Sequence, residues 1–398
     1  PQQLKAEKAT FLMMQKMGAD TVYLQECMVP HWVRGEKETA YITGVDGKKI
    51  SLDICALGNS VGTGNKGLTA ELVEVSSFKQ LDVLGEKGIK GKIVFFNVRF
   101  NPSHIEPWKG YDETTGYRWN GPSRAAKYGA LGTMIRSLAS NTDDHPHTGG
   151  MSYNDSFPKI PCIAISAVDG DFISAELKKR KSLPLFFRTT CQTLPKVAGH
   201  NVIGEIRGSS SPDEIITVGG HLDSWDLAEG AHDDGTGCVQ SMELIRVYKK
   251  LGIRPRHTIR IVMFADEENG GAGSDKYAEL AKSKNEKLLF ALESDDGGFV
   301  PRGFRFAMEE EKIEKLRKWL PLFFPYGVYK FEEGEAGADI ENLKPLGAVI
   351  AGLYPDPQRY FDIHHSSSDV FENVNKRELE LGAASMAMLV FLVDMYGL

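Results

Sequence analysis

The sequence predicts an α/β protein: a mostly parallel central sheet flanked by helices, with a smaller β-rich domain in the first half of the chain. Three observations carry that expectation. Beyond residue 201, apolar runs alternate with stretches of helical period, the pattern of parallel strands with helices on both faces. Between about 56 and 190 the texture differs, with clustered glycines and shorter apolar runs. At 398 residues the chain exceeds one ordinary core, so two domains are expected.

In chain order, 4–17 reads as an amphipathic helix stopped by Gly18, and 21–26 as a short strand. Gly58, Gly62, Gly64 and Gly67 open the second texture. Strand-like runs follow at 69–75 and 92–98, then a helix near 123–128 and the apolar Met134-Ile135. A polar stretch at 142–155 precedes another strand at 158–165. In the second half, 215–218 is a strand and 236–251 a helix with Cys238, Val239, Met242 and Ile245 on one face. Gly252 ends that helix and Pro255 prevents its resumption. Strands at 258–264 and 287–292 bracket a helix at 274–284, and 348–353 reads as a further buried strand.

Hydrophobic residues at 41% and charged residues at 25% are ordinary for a globular protein in water. A net charge of −7 argues against a nucleic-acid partner, which needs a basic face. No apolar run approaches the roughly 20 residues that a membrane span requires. The start, Pro1-Gln2-Gln3-Leu4, has no initiator Met and no signal peptide, which reads as a processed or trimmed form. Cys27, Cys55, Cys162, Cys191 and Cys238 form an odd set without a CxxC, and Cys238 reads as a small core residue.

The chemistry lies just past the strands. In open α/β sheets, ligands bind outside the carboxyl ends of the strands, where side chains distant in sequence converge. His221 and Asp223 follow the strand at 215–218, and Asp233-Asp234 opens the next helix. Glu267-Glu268 follows 259–264, Glu293-Ser294-Asp295-Asp296 follows 288–292, and His364-His365 lies beyond 348–353. Two kinds of nitrogen- and oxygen-donor side chain, with no Cys among them, suit zinc. A carboxylate two residues after His221 can take the imidazole's other N–H and fix its tautomer. Adjacent carboxylates at a strand end repel unless a cation neutralises one, which leaves the other to accept a proton. Each set alone also fits a solvated turn or, for Asp233-Asp234, a helix cap; their joint placement at successive strand ends does not. The residues leave open which of Asp233 and Asp234, and which of His364 and His365, is a ligand. Two other motifs are chance matches: Gly62 to Gly67 fits GxGxxG and Gly58 to Gly62 fits GxSxG, but neither is followed by the helix its chemistry needs.

Taken together, Gly219-Gly220-His221-Leu222-Asp223-Ser224-Trp225-Asp226, Ala231-His232-Asp233-Asp234-Gly235, Glu267-Glu268-Asn269-Gly270-Gly271, Glu293-Ser294-Asp295 and His364-His365-Ser366 resemble the co-catalytic two-zinc exopeptidases of the zinc aminopeptidase and glutamate carboxypeptidase family. Pro30-His31-Trp32-Val33-Arg34-Gly35-Glu36, Pro146-His147-Thr148-Gly149 and Pro158-Lys159-Ile160-Pro161 extend the resemblance over nearly the whole chain. It implies a discontinuous zinc peptidase domain, 1–55 with 191–398, and a protease-associated (PA-like) insert at 56–190 that lends substrate contacts. It also implies two Zn2+ per chain, with His221 and Asp295 on one, Glu268 and His365 on the other, and Asp233 bridging. Glu267 is then the general base for a bridging hydroxide, and Asp223 the carboxylate behind His221. Many relatives carry a Tyr before the last ligand His; here His364 stands in that place as the candidate oxyanion stabiliser. Partly from the same resemblance, the Asp233–Asp234 peptide bond is expected to be cis.

The expected function is hydrolysis of dipeptides or short peptides. A single-zinc glutaminyl cyclase-like aminoacyltransferase and a non-catalytic binding protein on a peptidase fold are the alternatives; the survival of all five ligands and the base disfavours the last. The expected partners are a peptide substrate and a second copy in a homodimer, without nucleic acid or membrane span. The expected location is secreted or periplasmic. Asp339, Arg359 and Trp225 stand near the motifs as candidates for reading the substrate's terminus.

Overall fold

The computed structural model describes residues 2–398 and divides into two compact units. The first takes the residues up to Val29 together with Lys196–Pro357 and Asp369–Leu398; the second takes Pro30–Pro195 and Gln358–Ser368.

The first unit is organised on an eight-stranded sheet in the order Thr21–Val33, Gln192–Ile206, His257–Phe264, Ser211–His221, Lys287–Glu293, Val349–Pro355, Pro301–Phe306 and Lys330–Glu333. Its centre is parallel: Ser211–His221 pairs in parallel with His257–Phe264 on one side and Lys287–Glu293 on the other, and Lys287–Glu293 with Val349–Pro355. The sheet as a whole is mixed, because Gln192–Ile206 runs antiparallel to His257–Phe264 and Pro301–Phe306 antiparallel to Val349–Pro355. The central strands are apolar on both faces, as strands covered twice must be. On one face Ile216, Val218, Ile259 and Ile261 pack with Cys238, Met242 and Ile245 of the helix Thr236–Leu251. On the other, Ile215, Val262 and Phe264 pack with Tyr277 and Ala281 of the helix Ala272–Ser283. The helix Thr236–Leu251 has the bounds its pattern predicts, and Gly252 ends it at φ 67°, a left-handed conformation that a β-carbon disfavours.

The sequence reading placed no element at the C-terminus, where the structure has the helix Lys376–Tyr396. Asn375 caps it by accepting from the amides of Arg377 and Glu378. By length and composition it could cross a membrane, but Met386, Leu389, Val390 and Val393 are buried in the core beside the central strands. Asp394 near its end is wholly buried and accepts from the Arg256 amide at 3.0 Å, the His257 amide at 2.9 Å and His257 Nδ1 at 3.0 Å. One carboxylate thereby ties the last helix to the start of a central strand.

The second unit has its own eight-stranded sheet, in the order Lys49–Leu52, Thr39–Thr43, Pro184–Arg188, Leu68–Val75, Ile93–Phe96, Gly132–Arg136, Cys162–Ile165 and Ile54–Ala56. It is wider than the expected 56–190. Thr39–Thr43 pairs antiparallel with Pro184–Arg188, and Ala40 and Ile42 enter the same core as Leu185 and Phe187. Nothing in the composition of 39–55 marks that membership, so the texture change came too late. The helix expected at 123–128 is the C-terminal end of a longer one, Pro107–Ala126, whose Gly110, Gly116, Gly121 and Pro122 obscure the helical signal.

The Asp394 junction gives an expected outcome. Asp394→Ala leaves the part-buried amides of Arg256 and His257 and the His257 imidazole N–H without their acceptor, so urea unfolding of the variant should show a loss of about 1–3 kcal/mol. A loss below about 0.5 kcal/mol would show the junction to be incidental.

Candidate metal centre

Parallel pairing sets His221 opposite Phe264 and Gly219 opposite Glu293. Glu267 and Glu268 lie just beyond the first of these strand ends and Asp295 just beyond the second, so all leave the sheet at one edge. His221 is 1% exposed. Its Nδ1 lies 2.9 Å from the carbonyl oxygen of Asp223. A carbonyl only accepts, so Nδ1 carries the hydrogen. Nε2 then points at Asp233 Oδ1 and Asp295 Oδ1, each 3.1 Å away. A nitrogen lone pair facing two carboxylate oxygens is repulsive unless a cation lies between them. A proton can serve: burial alone lowers the imidazole's pKa, but Asp295 and Asp233 outweigh it and hold the group well above its usual value. One imidazole nitrogen and two carboxylate oxygens converging in this way equally fit a zinc ion.

Asp233 and Asp234 divide their work. The peptide bond between them is cis, as expected. Asp234 turns inward and accepts the amides of His221 and Gly237, both at 3.0 Å. A β-carbon at Gly220 or Gly237 would collide with that carboxylate, so both positions require glycine. Asp234 also lies within 4.8 Å of the donor atoms of His221 and Asp295. With both of its oxygens engaged by amides, it is less available to an ion than Asp233. The Asp233 amide is held in turn by Asp369, whose oxygens accept from His232 N at 2.7 Å and Asp233 N at 3.1 Å. His232 stacks on Phe299 at 4.4 Å and its Nδ1 accepts from the Gly298 amide at 3.1 Å. The sequence reading assigned no role to His232 or Asp369. An amide-holding carboxylate has no residue pattern of its own.

Asp223 departs from expectation in one respect. Its carbonyl orients His221, while its carboxylate stands 3.8 Å from Nδ1. That carboxylate accepts instead from the amides of Glu267 at 3.1 Å and Glu268 at 3.3 Å. Two convergent backbone donors in the following turn compete better for it than one ring N–H. Glu267 is held well above the usual carboxylate range, first by burial and then by Asp295, Glu268 and Asp223, against the opposing pull of His221. Behind them, Glu293 accepts from the amides of Asp339 at 3.4 Å and Ile340 at 3.1 Å, and burial and Asp295 push its carboxyl to about 8. Asp339, 1% exposed, is raised well above its usual value by burial and then by Glu293.

His364 and His365 belong to the second unit, at the end of the short helix Tyr360–Ile363. Their rings stack at 3.6 Å, and His365 takes a left-handed φ of 60°. The His364 ring meets Tyr111 edge-on at 5.4 Å. The His364 carbonyl accepts from His147 Nδ1 at 2.6 Å, and the His365 carbonyl from the Thr148 amide at 2.8 Å. The motif at 146–149 thus supports the histidine pair from within the same unit. Within the first unit, the structure gathers His221, Asp233, Asp295 and Glu267, with Glu268 held by its amide beside them.

Known proteins bear on this geometry. The family model for peptidase family M28 matches residues 201–390. The chain is similar to carboxypeptidase Q of Mus musculus, 34% identical over 391 residues that cover 97% of this chain and 80% of that one. The crystal structure of a peptidase M28 precursor from Shewanella amazonensis superposes with a TM-score of 0.93 at 31% identity, covering 99% of this chain and 88% of the other. A zinc aminopeptidase from Bacillus subtilis shares the fold, with a TM-score of 0.68 at 19% identity over 97% of this chain and 88% of that one.

His147 supplies an expected pH dependence. Complete burial lowers its pKa to about 4. The unfolded chain takes up that proton near pH 6.5, so the stability from keeping the ring neutral is fully present above about 6.5. It falls away as the pH drops towards 4, by up to about 3 kcal/mol. Melting temperatures measured between pH 7 and 4.5 should decline less steeply for His147→Asn than for the parent; equal slopes would assign the acid limb to other groups.

Proposed function

The chain belongs to peptidase family M28 and is a metallo-exopeptidase; from that premise we propose that it hydrolyses dipeptides or short peptides with two zinc ions per chain. The observation that carries this reading is the His221 imidazole, with Nδ1–H on the Asp223 carbonyl and Nε2 facing Asp233 and Asp295 at 3.1 Å. In this reading His221 and Asp295 hold one zinc, Glu268 and His365 the other, and Asp233 serves both. The choice of His365 rather than His364 rests on the family resemblance. Zinc held there supplies Lewis acidity towards the scissile carbonyl and the attacking water.

Glu267 takes the proton of that water on its carboxylate and returns it to the leaving amine. Asp223 keeps the adjacent Glu267 and Glu268 in register through their amides. His364 occupies the Tyr position of many relatives and is the proposed donor to the developing oxyanion. The second unit is proposed to be a protease-associated domain. A secreted or periplasmic location belongs to the same reading and rests on the resemblance.

Glu267→Gln separates the base from the ligands. The variant should retain the zinc content of the parent while kcat on a dipeptide falls roughly 100- to 10,000-fold. Near-parental kcat with zinc retained would remove Glu267 from the mechanism.

A further inference from the structure

We propose that the hairpin tip at 44–48 and the adjoining basic run at 178–181, all within the second unit, form a docking surface for an anionic lipid bilayer. The strands Thr39–Thr43 and Lys49–Leu52 pair antiparallel and are joined by a tight turn. In it the Gly44 amide donates to the Lys48 carbonyl at 2.7 Å and the Gly47 amide to the Gly44 carbonyl at 3.0 Å. Gly47 takes a left-handed φ of 77°, which lets the two strands close on each other. This well-fixed turn displays Val45. Its side chain is 91% exposed, more than any other large apolar side chain among the described residues. Turn positions ordinarily carry Gly, Pro, Asn, Asp or Ser, and an apolar side chain held out in water there contributes no burial to the fold.

Basic charge gathers at the same end of the sheet. Lys178-Lys179-Arg180-Lys181 runs from the end of the helix Ala167–Lys179 towards the strand Pro184–Arg188. Arg180 Nη1 donates to the Thr43 carbonyl at 2.7 Å, which pins the run against the base of the turn. The acids nearby are already engaged: Glu176 pairs with Lys179 at 3.1 Å and with Arg180, Asp46 lies 3.6 Å from Lys48, and Glu71 accepts from Ser182 Oγ and the Leu183 amide. Lys49, Lys178 and Lys181 are exposed and have no carboxylate at ion-pair distance among the described residues. Lys49 Nζ stands 4.0 Å from the centre of the Tyr41 ring, and Tyr41 stacks on Phe186 at 4.7 Å. Strand alternation puts Tyr41 on the face opposite Ala40 and Ile42, which enter the core. A chain of net charge −7 is repelled as a whole by an anionic surface, so a local excess of cations decides which face approaches it. Lysines and an amphipathic ring behind an apolar tip are the residue set of a membrane–water interface. The tip favours lipid over a soluble polyanion, which offers the lysines partners but gives Val45 nowhere to go.

Sedimentation of the full chain with phosphatidylcholine vesicles, with and without about 30 mol% phosphatidylglycerol, tests this. Partition onto the anionic vesicles should be at least roughly 10-fold stronger at about 0.1 M salt and should fall to the phosphatidylcholine level at about 0.5 M. Lys178→Gln combined with Lys181→Gln should weaken it roughly 10-fold or more, and Val45→Ser roughly three- to tenfold. Val45→Trp should show emission that shifts to the blue on anionic vesicles and is quenched by lipids brominated on their acyl chains. All these positions are exposed, so every variant should melt at the parent's temperature, a check that does not depend on the peptidase reading. Equal partition onto both kinds of vesicle, or anionic partition unchanged by the lysine pair, would overturn the proposal. Partition that depends on the lysines but is indifferent to Val45→Ser, with the Val45→Trp emission unquenched, would also overturn it and assign the surface to soluble polyanions.

Discussion

The site depends on one hydrogen bond, from His221 Nδ1–H to the carbonyl of Asp223. It fixes the tautomer and aims Nε2 at two carboxylate oxygens, an arrangement that only a cation reconciles. Much of the local backbone serves that aim. Asp234 holds the His221 amide from within the fold, and Gly220 and Gly237 leave space for its carboxylate. Asp369 holds the neighbouring Asp233 amide. The Asp223 carboxylate fixes the turn that carries Glu267 and Glu268. The ligand-type residues are thus placed by carboxylates that bind backbone amides and keep their own charge away from the centre.

Such a centre needs a rigid platform, because crowded carboxylates push one another apart when nothing lies between them. The parallel strands Ser211–His221, His257–Phe264 and Lys287–Glu293 provide it, buried on both faces by apolar side chains. Register does the positioning: a shift by one residue in a parallel pair would send the side chains at the strand ends to the opposite face. The acidic groups behind the centre, Glu293 and Asp339, are raised first by their burial and then by the neighbouring carboxylates.

Much of this was legible in the sequence. Continuous apolar runs followed by His or paired carboxylates mark buried parallel strands with their chemistry at the exits, and the helix Thr236–Leu251 announced both its ends. Two kinds of information were not. Which oxygen of Asp223 meets His221 depends on backbone geometry that no residue pattern encodes, and the same holds for the amide-binding Asp369. The reach of the second unit back to Pro30 depends on Thr39–Thr43 pairing with Pro184–Arg188, a contact between segments far apart in sequence. The Pro107–Ala126 helix was hidden by its own glycines and proline, which tertiary packing overrides.

The most direct test of this account is a crystal structure of the zinc-loaded protein with the metal located by anomalous scattering. The account expects one zinc about 2.0–2.1 Å from His221 Nε2, bound also by oxygens of Asp233 and Asp295, with a second roughly 3.5–4 Å away on the other side of Asp233. A zinc-saturated protein in which His221 Nε2 remains protonated against the carboxylates, with the metal bound elsewhere, would contradict it.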